Sequence, residues 1–98
     1  MEKRKFNFTK HLIEDLPLPL RGKRSYYGDT KVHGLLIDIT SNGRKTFYFR
    51  RKVNRIPQRI LIAPFLDFSV EQARSKALEI AAAIAKGESP YEERKQRK

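Results

Sequence analysis

Residues 44–53 read Arg-Lys-Thr-Phe-Tyr-Phe-Arg-Arg-Lys-Val. Taken with period two, Phe47, Phe49 and Val53 point one way and Tyr48, Arg50 and Lys52 the other. Arg51 interrupts the apolar side near the end. Three consecutive β-favouring aromatics argue for a strand. One face of that strand can pack on a core while the other carries a ring and two cations outward. This is expected to be the central strand of a small antiparallel sheet whose polar face binds nucleic acid.

The flanking segments supply its neighbours. Before it, Leu35, Ile37 and Ile39 alternate with Leu36, Asp38 and Thr40, and Gly34 opens this strand. Ser41-Asn42-Gly43 joins the two, and Asn-Gly between alternating runs is a strong hairpin signal. After it, Asn54 and Arg55 turn the chain into a third strand over about residues 57–63. There Ile60 and Ile62 are expected to face the core, with Arg59 and Leu61 opposite. Pro57 is tolerated near a strand start or on an edge, and Pro64 ends the strand. Tyr26 and Tyr27 read as packing residues of a very short extra strand closed by Gly28 and Asp29.

The clearest helix follows. Ser69 and Gln72 fit a capping box, and Glu71 lies in the first turn, where the helix dipole favours an acid. Val70, Ala73, Ala77, Ile80 and Ile84 form an apolar stripe. Gly87 suits the C-terminal cap, and Pro90 keeps the helix from resuming. Upstream, Thr9 can cap a short turn running to about Asp15 and anchored by Leu12, Ile13 and Leu16. Pro17 and Pro19 end that turn. The resulting expectation is an α+β fold, a three-stranded antiparallel sheet with a very short extra strand, packed on one C-terminal helix. Residues 1–8 are expected to be a flexible basic tail, with Phe6 and Phe8 docking at its end. Residues 9–90 form the domain, and residues 91–98 are polar and charged like the start of a linker.

Charge narrows the function. The 98 residues hold 22 Lys and Arg against 11 Asp and Glu, a formal net charge of +11. Residues 21–59 alone carry eleven cations and two acids, Asp29 and Asp38, for a net of +9. An ordinary solvated sheet face also shows Lys and Arg, and such residues protect edges. So much self-repulsion on a small surface nevertheless points to a polyanionic partner. There is no cysteine, and no apolar run approaches a membrane span. The N-terminus lacks the apolar region of a secretory signal, so a cytoplasmic setting is the default expectation. His11 and His33 lie far apart without ligand spacing, which argues against a metal site. No nucleophile–base pattern or phosphate loop occurs, so no enzyme and no cofactor is expected. Asp29 is expected to bond turn backbone.

On the open face stand Thr40, Tyr48, Arg50, Lys52, Arg59 and Leu61, with Asp38 and Leu36 beside them. A narrow sheet can enter the DNA major groove. Arg and Lys there can donate to guanine, and Tyr48 and Leu61 can meet a thymine methyl. Lys23, Arg24, Arg44, Lys45 and Arg55 lie in or beside turns, where phosphate contacts are more natural. Lys3, Arg4 and Lys5 would suit a minor groove.

The ordered set of motifs resembles the N-terminal domain of prophage-type tyrosine recombinases, the integrases. The resemblance spans about residues 8–90 and rests on Gly34, Leu35, Ile37, Gly43, Lys45, Thr46, Phe47, Arg50, Ser69, Ala73, Arg74, Ala77, Gly87 and Pro90. It implies a non-catalytic domain that binds arm-type double-stranded DNA sites through its sheet and supports integration and excision. The recombinase's catalytic residues would lie in a separate C-terminal domain, and other integrase protomers would be partners in the full-length protein. Ala63 departs from the family's usual Gly, and Leu61 from its common Thr, which makes the open face more apolar there. Two other classes compete. An RNA-binding module would stack bases on exposed rings, for which only Tyr48 is well placed. A protein-interaction module would bind no nucleic acid at moderate salt.

Overall fold

A computed structural model describes residues 4–87. In chain order the elements are β1 (Lys5–Phe6), α1 (Lys10–Glu14), β2 (Arg24–Asp29), β3 (Leu35–Thr40), β4 (Lys45–Val53), β5 (Ile56–Pro64) and α2 (Val70–Ala85). The strands form one five-stranded sheet in sequential order. β2 to β5 are an antiparallel meander, and β1 adds to β2 in parallel.

The three-stranded sheet with one helix expected from the sequence is therefore corrected, among the described residues, to a mixed five-stranded sheet with two helices. Two segments account for the difference. The very short strand at Tyr26 is a full six-residue partner of β3, running from Arg24 opposite Thr40 to Gly28 opposite Leu36. The second is the basic N-terminal segment, which from residue 4 onward is not a loose tail. Lys5 and Phe6 pair with Gly28 and Asp29, and the backbone N–H groups of Gly28 and Thr30 donate to the carbonyls of Arg4 and Phe6. Residues 1–3 and the linker expected at 91–98, with Pro90, lie outside the described residues.

The core lies on one side of the sheet. Leu35, Ile37 and Ile39 of β3 and Phe47 and Phe49 of β4 are fully buried there. α2 crosses β3, β4 and β5 with Val70, Ala73, Ala77 and Ile80 buried and Ile84 partly so. Its alanines let the helix approach closely. Its start is fixed by both capping-box bonds, Gln72 N–H to Ser69 Oγ and Ser69 N–H to Gln72 Oε1. The N-terminal segment covers the rest of the core. Phe8 and Ile13 are buried, and the Phe8 ring lies 6.4 Å from that of Phe47. Thr9 caps α1 by accepting from the Leu12 N–H. Burial of side chains this large contributes roughly 1.5–3 kcal/mol each.

One strand departs from simple alternation. Phe47 faces Ala63 but Tyr48 faces Leu61, so Ile62 is the additional residue of a bulge. Ala63 therefore takes the fully core-facing place expected of Ile62, which is only partly buried. Asn54 and Arg55 form a two-residue turn between the paired Val53 and Ile56, with φ of 53° and 69°.

A buried ion pair locks the N-terminal segment to the helix. Asp29 Oδ2 accepts from Arg74 Nε at 2.8 Å and from the Val32 N–H. Asp29 Oδ1 accepts from Arg74 Nη2 and the Phe8 N–H. Arg74 also donates to Asn7 Oδ1 and to the Phe8 carbonyl. Burial alone would raise the Asp29 carboxyl. The Arg74 hydrogen bonds and the backbone N–H donors outweigh it and hold the group below the usual carboxylate range.

Candidate nucleic-acid interface

The side of the sheet away from α2 is built by alternation. The register aligns Arg24 with Thr40, Tyr26 with Asp38, Asp38 with Thr46, Leu36 with Tyr48, Tyr48 with Leu61, Arg50 with Arg59, and Lys52 with Pro57. All six residues expected on the open face thus share one side. Arg50, Lys52, Arg59 and Leu61 are exposed, while Thr40 and Tyr48 are half-buried.

Their surroundings differ. The Arg59 guanidinium lies 4.4 Å from the centre of the Tyr48 ring, a cation–π stack. Its Nη2 donates to Asp38 Oδ2 at 3.1 Å. Arg24 Nε stands 3.7 Å from the same oxygen. Thr40 Oγ1 accepts from the Arg44 N–H, which ties it to the turn between β3 and β4. Among the described residues, Arg50 and Lys52 make no ion pair or side-chain hydrogen bond. Arg24, Asp38, Thr40, Arg44, Tyr48 and Leu61 line a hollow at the turn end of this face. Lys5, His33, Arg50 and Lys52 line another at the opposite end.

The residues assigned to turns separate into two groups. Lys23, Arg44 and Arg55 are exposed in loops or turns, as the sequence implies. Lys45 opens β4 opposite Ile39 and so starts from the core side, half-buried at the sheet margin. Arg24 belongs to β2 and to the open face itself. Sequence reasoning also missed Tyr26. Its neighbour Tyr27 packs edge-on against Phe6, at 5.9 Å between ring centres, whereas Tyr26 is 48% exposed beside Asp38. Alternation along residues 24–29 is the signal that separates the two tyrosines.

A small basic sheet, closed on one side by helices and presenting outward cations and rings on the other, defines a binding module for an anionic partner. The chain belongs to the arm DNA-binding domain family, whose sequence model matches residues 8–97. That domain is found in phage and prophage integrases. A DNA-binding role follows at the level of the family. No curated protein matches the chain.

Proposed function

We propose that this chain reads double-stranded arm-type sites sequence-specifically, with the open face of the sheet in the major groove, as the DNA-positioning domain of a tyrosine recombinase. The observation that carries this reading is the Arg59 guanidinium stacked on Tyr48 at the centre of a face otherwise formed by Arg24, Arg50, Lys52, Thr40 and Leu61. A stacked guanidinium is held in one plane and can donate two parallel hydrogen bonds to guanine O6 and N7, worth roughly 1–3 kcal/mol of discrimination. Arg50 and Lys52 offer further donors, and Leu61 and Tyr48 offer apolar contact to a thymine methyl. Lys23, Arg44, Lys45 and Arg55 would set position on phosphates. Other integrase protomers would share the DNA in the full-length protein.

The test is an amide chemical-shift titration by NMR at about 0.15 M salt. One duplex carries a candidate arm repeat from the attachment region, and the other is its scrambled counterpart. Saturable shifts over residues 44–61 and at Arg24 and Tyr26, with the first duplex alone, are expected. Diffuse shifts with both duplexes, fading as salt rises, would leave only the non-specific attraction of a +11 chain.

A further inference from the structure

The two acids within the sheet region are built differently. Asp29 uses both oxygens, accepts from two backbone N–H groups and from Arg74, and joins three segments of chain. Asp38 is equally buried, at 3% exposure, although its side chain rises from the sheet face away from the core. Among the described residues it accepts from no backbone N–H. Its Oδ2 takes one hydrogen bond from Arg59 and lies near Arg24, and among the described residues its Oδ1 has no partner. A buried acceptor without a partner destabilises a fold. This carboxylate is therefore poorly explained by stability.

The residues around Asp38 indicate another role. Arg50 and Arg59 are directly opposite on β4 and β5, a like-charge pair that sheets ordinarily avoid. The Arg59 guanidinium donates to Asp38 and at the same time lies over the Tyr48 ring. One Arg59 N–H is used on Asp38, and the remaining donors of the fork stay available in a fixed plane. The Arg59 side chain is still 42% exposed. Asp38 lines the same hollow as Arg24 and Tyr48, with its Oδ1 buried.

We propose that Asp38 is a positioning residue that determines specificity: it holds Arg59, and with it Arg24, in the orientation that reads a guanine edge. This rests on the duplex-reading function proposed above. It makes an acidic residue a requirement for recognising an anionic ligand.

The test uses the full chain and a pool of duplexes randomised over their central stretch, selected and sequenced for the wild type, Asp38→Asn and Arg59→Lys. Asp38→Asn is expected to lower the ratio of selected to scrambled affinity about tenfold, the worth of one arginine–guanine pair, with the loss confined to one G·C position. Its affinity for scrambled duplex should rise, because a negative charge leaves the binding face. That rise follows from charge alone, so the readout that a merely structural role would not move is the confinement of the loss to one position. Arg59→Lys keeps the charge, loses the planar fork and should lose the same position. The double variant should lose no more than either single one. Recovery of the wild-type motif at the wild-type ratio by Asp38→Asn overturns the proposal. Recovery by Arg59→Lys, which leaves the buried carboxylate untouched, overturns it as well. A wild type that enriches no motif overturns the duplex-reading function itself, and this inference with it.

Discussion

Replacing Arg74 by methionine removes a cation from a carboxylate that has no water to fall back on. The Asp29 side chain is fully buried and that of Arg74 is 17% exposed. Arg74 supplies two of the four hydrogen bonds that Asp29 accepts, and two more to Asn7 and the Phe8 carbonyl. Methionine fills much of the volume, so the loss is mainly electrostatic. Breaking a buried pair from one side costs about 3–5 kcal/mol. A domain of this size is stable by about 5–15 kcal/mol, so the variant loses a large part of the total. At about 4–8 °C per kcal/mol, the melting temperature should fall by roughly 12–40 °C. Urea denaturation followed by circular dichroism measures the difference. The pH dependence gives the sign a second check. The folded-state pKa of Asp29 is depressed, so its contribution is full above the unfolded carboxylate value of about 3.9 and is lost as pH falls through the lower folded value. The gap between wild type and Arg74→Met should narrow in acid. A loss below about 1 kcal/mol at neutral pH, or a gap that stays constant into strong acid, would refute the account.

Two further substitutions separate stability from binding. Arg55→Gly relieves a left-handed residue at the hairpin tip and should raise stability by about 1 kcal/mol in the same denaturation assay. The same change should weaken duplex binding and reduce the salt slope by about one, read by fluorescence anisotropy across a salt series. Gly34→Ala should destabilise the fold severely. A Cβ there would lie 2.8 Å from the Arg50 carbonyl and 2.9 Å from the Phe49 ring, at φ +98°. A melting temperature within a few degrees of wild type would show that this close approach is not required.

The organising strand was legible because its central aromatics alternate, with only Arg51 breaking the apolar side, and the Asn42-Gly43 turn fixes its partner. The helix was equally legible from Ser69, Gln72 and the stripe down to Ile84. What escaped depends on neighbours distant in sequence. Docking of Phe6 and Phe8 was expected, but the pairing of Lys5 and Phe6 with β2 was not, in a segment too short for periodicity and too charged to suggest a strand. Phe6 pairs with Asp29, and Phe8 is held by Asp29 and by Arg74, 66 residues away. Ile62 keeps a partly buried place against the core, and a bulge brings Ala63 into the core beside it without any glycine to announce the change of phase. Arg24 looked like a loop residue beside Gly22, whereas the strand begins with it. The alternation placed Asp38 on the open face, but its ion pairs with Arg24 and Arg59, on two other strands, and its burial depend on tertiary structure. Arg74 fell on the family pattern as one helix residue among several, and only tertiary structure gives it a partner.

The position of β5 has a consequence for contacts between copies of the chain. The two outer strands of the sheet are β1 and β5, and β1 is only two residues long. Among the described residues the nine-residue β5 is thus the long free border on which a second sheet could add. It carries Pro57 and Pro64, neither of which has an N–H to offer. Arg59 adds a charge, and the bulge at Ile62 breaks the even spacing that an added strand would need. Backbone pairing across this border is disfavoured at several points along its length. Copies crowded onto neighbouring stretches of one duplex would then meet through side chains, remaining separable units instead of fusing into a continuous ribbon.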